Sequence, residues 1–261
     1  MGDFDYIELK KTDRVAHLIM NHPPANTLNL SVENEMSRAL HLLEDDGNIQ
    51  VVVIGSANSK MFSAGADISL LKQFNHEEMD IFCRKMKNLI LSFRKSNKVF
   101  IASIEGHCLG GGLELALGCD LRVAKDTKFQ IGFPEVNLGL FPGGGGIPLA
   151  GDLIGMQRTF RMAALGETLT AADALQCGLI DYLFPPEAYA KKLDELACTI
   201  AQKPTVAIAS IKRLIYSTLR MNMAEAFEYE SDIMKQLLGT DDFREGIAAF
   251  KEKRAPVFSG R

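Results

Sequence analysis

The sequence predicts an α/β fold that ends in a helical region, and three patterns support this prediction. Residues 49–54 and 99–104 are predominantly apolar runs, which are typical of strands covered on both faces. Between them, residues 75–97 repeat apolar side chains at helical spacing. Strand, helix and strand alternate in this way as far as Val123, which indicates βαβ units. From residue 151 onwards the composition becomes predominantly helical.

The bulk composition is that of an ordinary globular protein. The chain has 261 residues, 47% hydrophobic and 24% charged, which permits one large domain or two small ones. The formal charge of −4 argues against nucleic acid as the main partner. No apolar run approaches the roughly 20 residues that span a bilayer, so we expect no membrane partner. The acidic start MGDFDYIELKK is typical of neither a secretory signal nor a transit peptide, which favours a cytoplasmic protein.

Cysteine and histidine indicate neither a disulfide framework nor a metal site. The five cysteines are odd in number and scattered, and no pair has CxxC spacing. The five histidines form no ligand spacing. His76-Glu77-Glu78 begins like HExxH, but Asp80 stands at the place of the second histidine. We therefore predict reduced, mostly buried thiols and no metal ligands.

The amino-terminal part predicts two strands followed by a helix. Residues 6–10 and 15–20 favour strands joined by a short turn. Pro23 and Pro24 lack amide donors and cannot continue the second strand. Ser31 is the expected N-cap of the helix that follows.

One face of the helix predicted at 75–97 is strongly basic. Its basic residues, with one just beyond the helix, are Arg84, Lys85, Lys87, Arg94, Lys95 and Lys98. Such a run is usually a solvated face, and contact with an anionic ligand is the alternative. RNA binding is disfavoured because the chain is acidic and no aromatic residues are interleaved.

The carboxyl-terminal part predicts five helices and one strand. The helices are expected at 157–165, 170–177, 187–202, 205–220 and 224–238. Thr170 is the expected N-cap of the second of them, and residues 178–183 favour a short strand. Near the end, Phe243, Ile247 and Phe250 form a stripe at helical spacing that needs a surface to cover it, so we expect self-association.

Two glycine clusters, at 110–112 and 143–146, mark the candidate site. Each lies near a carboxylate in apolar surroundings, Glu114 or Glu135. Glycine allows backbone to approach backbone or ligand closely, and a helix is expected to begin near Gly112. Unpaired amides at a helix start attract negative charge. Two carboxylates beside such amides favour acid/base chemistry on a carbonyl compound.

The motifs in this stretch resemble those of the crotonase (enoyl-CoA hydratase/isomerase) family. The segment GHCLGGGLELALGCDLRVA contains the GGGxE core, FQIGFPEVNLGLFPGGGG the FPExxLGxxPG pattern, and FSAGAD the FxAGAD pattern. The carboxyl-terminal segments LTAADALQCGLIDYLFPPE and AQKPTVAIASIKRLI are also similar to the family. The resemblance implies a crotonase-like ββα spiral core at 1–195, including the active site, and a helical trimerisation region at 196–261.

The resemblance also assigns roles to individual residues. It implies Glu114 and Glu135 as catalytic residues, and the amides of Ala66 and Gly111 as the oxyanion hole. Further substrate-binding residues are expected at Ala25, Ala64, Asp67, Ile68, Gly110, Pro134, Gly143 and Lys251. Asp67 and Asp120 are interpreted as turn and capping residues rather than acids. For the basic helix face, the resemblance implies the phosphates of CoA as a candidate anionic ligand. It also implies Lys251, Lys253 and Arg254 as candidate contacts to those phosphates.

The activity implied by the resemblance is hydration of a trans-2-enoyl-CoA to the 3-hydroxyacyl-CoA, in fatty acid or related acyl-CoA metabolism. Glu114 would take a proton from the attacking water, and Glu135 would deliver one to C2. The substrate carries CoA and no separate cofactor is expected, while relatives form homotrimers or homohexamers. The alternatives are a Δ3,Δ2-enoyl-CoA isomerase and a non-catalytic acyl-CoA or RNA-binding member.

One departure from the family pattern is Ile147-Pro148-Leu149, where the family commonly has a small residue followed by Gln, Arg and Leu.

Overall fold

The computed structural model describes residues 4–260 and contains two mainly parallel sheets joined by helices. The strands are β1 (Ile7–Thr12), β2 (Val15–Met20), β3 (Val51–Ser56), β4 (Met61–Ser63), β5 (Val99–Ile104), β6 (His107–Leu109), β7 (Leu121–Lys125), β8 (Ile131–Gly132), β9 (Thr168–Leu169) and β10 (Tyr182–Phe184). The predicted α/β class is confirmed.

The helices separate the strands in the first half of the chain and dominate the second. They are α1 (Leu30–Glu44), α2 (Ile68–Leu71), α3 (His76–Lys95), α4 (Gly111–Gly118), α5 (Gly146–Ile154), α6 (Met156–Leu165), α7 (Ala171–Gln176), α8 (Tyr189–Ala201), α9 (Thr205–Thr218), α10 (Met223–Leu237) and α11 (Asp241–Glu252). A short 3₁₀ helix, Glu135–Leu138, follows β8. None of the helices within 4–260 combines the length and apolar composition needed to cross a bilayer.

The two sheets grow together as the chain advances. The six-stranded sheet has the order β1-β2-β3-β5-β7-β10, and the four-stranded sheet has the order β4-β6-β8-β9. Each pair of successive strands, β3 with β4, β5 with β6 and β7 with β8, adds one parallel strand to each sheet before a helix follows. This repeat is the expected ββα spiral.

Both faces of the larger sheet are covered, which explains its continuous apolar strands. On one face, Val52, Ile54 and Phe100 pack with α1, α3 and α4 in the main core. On the other, Val51, Val53 and Ile101 pack against α8. The expected division after residue 195 falls inside α8, whose buried side chains continue to Ala201. Ile208 on α9 packs against the same cluster, so contacts with the sheet continue beyond α8.

Several element ends differ from the sequence prediction by a few residues. Asn29, not Ser31, caps α1, because its side chain accepts the Val32 amide at 2.9 Å. α4 begins at Gly111, one residue earlier than expected, and β10 begins only at Tyr182. The prediction of Thr170 as an N-cap is confirmed, since it accepts the Asp173 amide.

Asp120 anchors the carboxyl-terminal helices to the main sheet. Its carboxylate accepts hydrogen bonds from the Phe100 amide at 2.8 Å, the Lys212 ammonium at 2.7 Å and the Tyr216 hydroxyl at 2.9 Å. Lys212 is buried and also donates to the carbonyl of Lys98. Asp120 is therefore the acceptor of a buried ion pair rather than a simple turn residue.

The basic face of α3 divides between internal and exposed side chains. The ammonium of Lys98 is buried and donates to the carbonyls of Asp46 and Ile49, at 2.9 and 2.8 Å. Arg94 lies over the ring of Tyr216, and Arg84 pairs with Asp80 one turn earlier. These contacts are structural, so the six residues do not form one continuous surface for an anion.

Candidate active site

One cavity brings together the four residues expected to carry the chemistry. It has a volume of about 170 Å³ and is lined by Ala66, Gly111, Glu114 and Glu135. The remaining lining residues are Leu28, Leu71, Met79, Phe82, Cys83, Met86, Leu140, Phe141, Gly143 and Gly144. Two carboxyl groups thus share a mostly apolar cavity with two loops that begin helices.

The Ala66 loop and the start of α4 approach each other through Gly65. Gly65 has a φ of +87°, and a Cβ there would lie 2.9 Å from the amide nitrogen of Gly111. A Cβ on Gly111 would lie 3.6 Å from the amide nitrogen of Ala66. Glycine is required because any side chain at 65 would separate the two loops. Gly111 is the first residue of α4, so its amide has no acceptor within the helix.

Leu28 lies next to both the Ala66 loop and the start of α4. Its amide donates to the carbonyl of Gly65 at 2.8 Å, and its carbonyl accepts the Asp67 amide at 3.0 Å. Its Cδ1 atom lies 3.3 Å from the position of a Cβ on Gly111. Ala66 is thereby fixed on both sides by contacts to one residue immediately before the N-cap of α1.

Glu114 is the more buried of the two cavity carboxylates. It is 4% exposed and lies in the first turn of α4. Its Oε1 atom accepts the amides of Gly144 and Gly146, at 2.7 and 2.8 Å. Burial raises the pKa of Glu114, while the amides of Gly146 and Gly144 and the charge of Lys87 oppose that rise. Burial outweighs the amides.

Glu135 lies across the cavity at the start of the 3₁₀ helix, directly after Pro134. A Cβ on Gly110 would lie 2.7 Å from its Oε1 atom, so the glycine allows this close approach. Its Oε2 atom is buried without a hydrogen-bond partner among residues 4–260. Burial raises the pKa of Glu135 to about 7, and the charge of Glu114 adds to the rise.

The two carboxyl groups lie in unlike hydrogen-bonding environments, and burial raises the pKa of both. Glu114 receives two backbone hydrogen bonds that stabilise its charge, whereas Glu135 has an unpaired oxygen facing the same cavity. Carboxyl groups in unlike environments can act as a base and an acid at one pH. Chemically, the arrangement suits removal of a proton at one point and delivery of a proton nearby.

The apolar wall of the cavity comes mainly from α3. Met79, Phe82, Cys83 and Met86 lie on one face of this helix. Phe82 and Met86 belong to the apolar repeat predicted at 75–97, which gave them no role in a site. Their functional position could not be read from helical spacing, because the same stripe also covers the core.

The other predicted binding residues are placed at different distances from the cavity. Gly143 lines it, and a Cβ there would lie 3.0 Å from the sulfur of Cys83. Ala25 and Ala64 are joined by a 3.0 Å backbone hydrogen bond behind the Ala66 loop. Asp67 caps α2, as the sequence interpretation proposed, because its carboxylate accepts the Ser69 amide at 2.9 Å.

The remaining members of that predicted set do not line the cavity within this chain. Gly110 and Pro134 support Glu135 rather than face the open space. Ile68 is exposed on α2. Lys251 is exposed in the last turn of α11, a helix that contributes no residue to the cavity lining. Within residues 4–260, no three His, Cys, Asp or Glu side chains are grouped so that they could hold a metal ion.

Known proteins are similar to this chain in both sequence and fold. The sequence model of the enoyl-CoA hydratase/isomerase family matches residues 10–261. An enoyl-CoA isomerase/hydratase of Mycosarcoma maydis is 34% identical over 95% of this chain and 93% of its own. A short-chain-enoyl-CoA hydratase of Clostridium acetobutylicum is 31% identical over 97% of both chains.

Solved structures agree with this similarity over the whole length. An enoyl-CoA hydratase structure from Geobacillus kaustophilus superposes with a TM-score of 0.96 at 35% identity, covering 100% of this chain and 98% of the other. One from Bacillus anthracis gives a TM-score of 0.94 at 29% identity, covering 98% and 100%. The spiral, the glycine loops and the carboxyl-terminal helices are therefore parts of one shared architecture.

Proposed function

The chain belongs to the enoyl-CoA hydratase/isomerase family, and from that membership we propose that it hydrates a trans-2-enoyl-CoA to the 3-hydroxyacyl-CoA. The observation that carries this proposal is the pairing of Glu114 with Glu135 in one cavity beside the Ala66 and Gly111 loops. A hydratase needs one base and one acid, and both carboxyl groups are present in unlike environments.

The proposed reaction begins with the thioester oxygen between the amides of Ala66 and Gly111. These donors would stabilise the negative charge that develops on the oxygen as water attacks C3. Glu114 takes a proton from that water, so that a hydroxyl group forms at C3. Glu135 delivers its proton to C2, and the enolate collapses to the thioester. One proton enters Glu114 as one leaves Glu135, so the protonation states must be exchanged before the next turnover.

The cavity supports an acyl-CoA substrate with an apolar chain. Leu28, Phe82 and Met86 line it. Among the described lining residues, Glu114 and Glu135 are the only ones with a carboxyl group. An apolar chain gains free energy by leaving water for such a surface. The reaction that we propose needs CoA only as part of the substrate and no further cofactor, and it belongs to fatty acid or related acyl-CoA metabolism.

Δ3,Δ2-enoyl-CoA isomerisation is the second candidate. It is favoured by the Mycosarcoma maydis relative, whose name combines isomerase and hydratase. It is also favoured by Glu135, because an isomerase needs one carboxyl group to move a proton from C2 to C4. The retained Glu114, buried and hydrogen-bonded, favours hydration over isomerisation alone.

We further propose that copies of this chain associate as trimers or as dimers of trimers. Phe243, Ile247 and Phe250 are exposed on α11, with Phe250 84% exposed. Isolated chains rarely present such a contiguous apolar face to water. Lys251 in the last turn of α11 could then reach a CoA phosphate held by a neighbouring copy.

The direct test of the proposed function is incubation with crotonyl-CoA while the absorbance of the conjugated enoyl thioester is followed. Loss of that absorbance with formation of 3-hydroxybutyryl-CoA is the expected result. A protein that binds crotonyl-CoA but leaves the absorbance unchanged would be an isomerase or a non-catalytic acyl-CoA binder, and the proposed hydration would be wrong.

A further inference from the structure

The first turn of α1 carries a carboxyl group that the proposed reaction does not use. Glu33 is 1% exposed, and neither of its carboxyl oxygens has a hydrogen-bond partner among residues 4–260. A helix start favours an anion, but burial of an unpaired charge is far more costly. Burial therefore favours the neutral form of this side chain and raises the pKa of Glu33 to about 8.

The charged groups around Glu33 do not neutralise the negative charge that it would carry when ionised. After burial, Lys85 on α3 lowers the pKa and Glu114 on α4 raises it. Lys85 donates its hydrogen bond to the side chain of Asn34 instead. The thiol of Cys83, also on α3, lies close enough that the charge of Glu33 raises its pKa, although burial is the main cause of that rise.

The other acidic residue buried on α1 differs in this respect. Glu35 accepts the amides of Asp5 and Tyr6 at 3.0 and 2.8 Å, in the segment that leads into β1. Its charge is thus satisfied where it is buried. Glu33 and Glu35 form a natural pair for comparison, because they share a helix and a residue type but only one has partners.

α1 is connected directly to the proposed oxyanion loops. The helix begins one residue after its N-cap Asn29, and Leu28 precedes that cap. The Leu28 amide donates to the Gly65 carbonyl and its carbonyl accepts the Asp67 amide, on either side of Ala66. Its Cδ1 atom lies 3.3 Å from the position of a Cβ on Gly111. Movement of the first turn of α1 would therefore displace Leu28 and release both loops.

We propose that Glu33 is a positioning residue: its neutral carboxyl group keeps the first turn of α1 packed against α3 and, through Leu28, holds the amides of Ala66 and Gly111. When Glu33 ionises, the packed arrangement contains an unpaired charge, and the turn opens toward solvent. The consequence is a loss of activity at alkaline pH, in addition to the loss expected when Glu135 ionises and can no longer deliver a proton to C2. The kinetic part of this inference rests on the proposed function; the opening of the turn does not.

The direction in which pH changes the stability of the packed turn follows from the direction of the pKa shift of Glu33. A carboxyl group whose pKa rises from 4.5 in the unfolded chain to about 8 in the folded one stabilises the packed state fully below pH 4.5. That contribution declines as pH rises and is lost above about 8. Glu33→Gln stays neutral at every pH and should remove this dependence.

The kinetic test compares wild type, Glu33→Gln and the control Glu35→Gln in kcat/KM for crotonyl-CoA. At pH 6.5 wild type and Glu33→Gln should agree within about 2-fold, and at pH 9 Glu33→Gln should be about 10-fold faster, since one ionisation is removed. Glu35→Gln should keep the wild-type ratio between the two pH values. Superimposable profiles for wild type and Glu33→Gln would overturn the proposal.

A second measurement does not depend on activity. Amide hydrogen exchange of residues 28–36, corrected for the intrinsic effect of pH, should rise from pH 6.5 to 9 in wild type and stay flat in Glu33→Gln. Glu33→Leu should behave like Glu33→Gln and serves if the amide variant folds poorly. An equal rise in all three proteins contradicts the inference, even if the chain hydrates no substrate. If the chain is inactive but exchange differs as expected, the proposed function fails and the opening of the turn stands.

Discussion

The amide of Gly144 donates a 2.7 Å hydrogen bond to Oε1 of Glu114, and the same glycine leaves no room for a side chain beside that carboxylate. A Cβ on Gly144 would lie 2.7 Å from Oε2 of Glu114 and 2.5 Å from Cγ of Met86. The second glycine cluster therefore both orients the proposed base and makes space for it.

Gly144→Ala should lower kcat for crotonyl-CoA about 100-fold, the usual effect of displacing a catalytic group by about 1 Å. Steady-state kinetics of the variant measure this directly. Gly151→Ala is the matched control, because a Cβ at that helical position meets no atom within 4 Å. If both variants keep wild-type kcat, the close contact at Gly144 does not position Glu114.

The pH profile of kcat/KM should fall on the alkaline side as Glu135 loses the proton that it delivers to C2. Burial raises the pKa of Glu135 to about 7, so the fall should begin near that pH. Below the pKa of Glu114, which burial raises, the rate should fall because the protonated carboxyl group can no longer accept a proton from water. A rate that keeps rising from pH 6 to 9 would show that Glu135 does not act as the acid.

Lys212→Met should destabilise the folded chain by about 3–5 kcal/mol, because it leaves the carboxylate of Asp120 without its buried cation. Urea unfolding of the two proteins gives the difference. Lys235→Met removes an exposed pair with Asp232 and should change stability by no more than about 1 kcal/mol. Equal effects of the two substitutions would mean that the Asp120 pair contributes no more than a surface pair.

Phe250→Glu should weaken self-association, because it places a charge in the exposed apolar stripe of α11. Sedimentation equilibrium at micromolar concentration should show a trimer or hexamer for wild type and smaller species for the variant. A wild-type protein that sediments only as a monomer would contradict the proposed assembly.

The sequence located the candidate site because its constraints are local. Gly65, Gly110 and Gly144 occupy positions where a side chain would strike a neighbouring backbone or carboxylate, so the pattern of glycines around Glu114 and Glu135 reflects the geometry itself. The strands were equally readable, because a sheet covered on both faces requires apolar residues at successive positions. Element ends were predicted less exactly, as at Ser31 and Gly112.

Contacts between distant segments could not be predicted in the same way. Lys98 looked like a member of a solvated basic face, yet its ammonium is buried against two carbonyls that lie 49 and 52 residues away in the chain. Asp120 looked like a capping residue, although its main partner is Lys212 on α9. Glu33 gave no signal, because a single acidic residue in a first helical turn is ordinary and only the packing of α3 and α4 buries it.

The two-carboxylate mechanism is tested most directly by Glu114→Gln and Glu135→Gln, each assayed for hydration of crotonyl-CoA and for conversion of a 3-enoyl-CoA to the 2-enoyl-CoA. Glutamine keeps the size of the side chain but cannot exchange the proton, so each variant should lose hydration by about 10²–10⁴-fold. The double variant should be little worse than either single one, because both groups act on one water. Two results would contradict the proposed hydratase. One is a Glu114→Gln protein that hydrates crotonyl-CoA at nearly the wild-type rate. The other is a wild-type protein whose main activity is isomerisation, kept by Glu114→Gln and lost by Glu135→Gln.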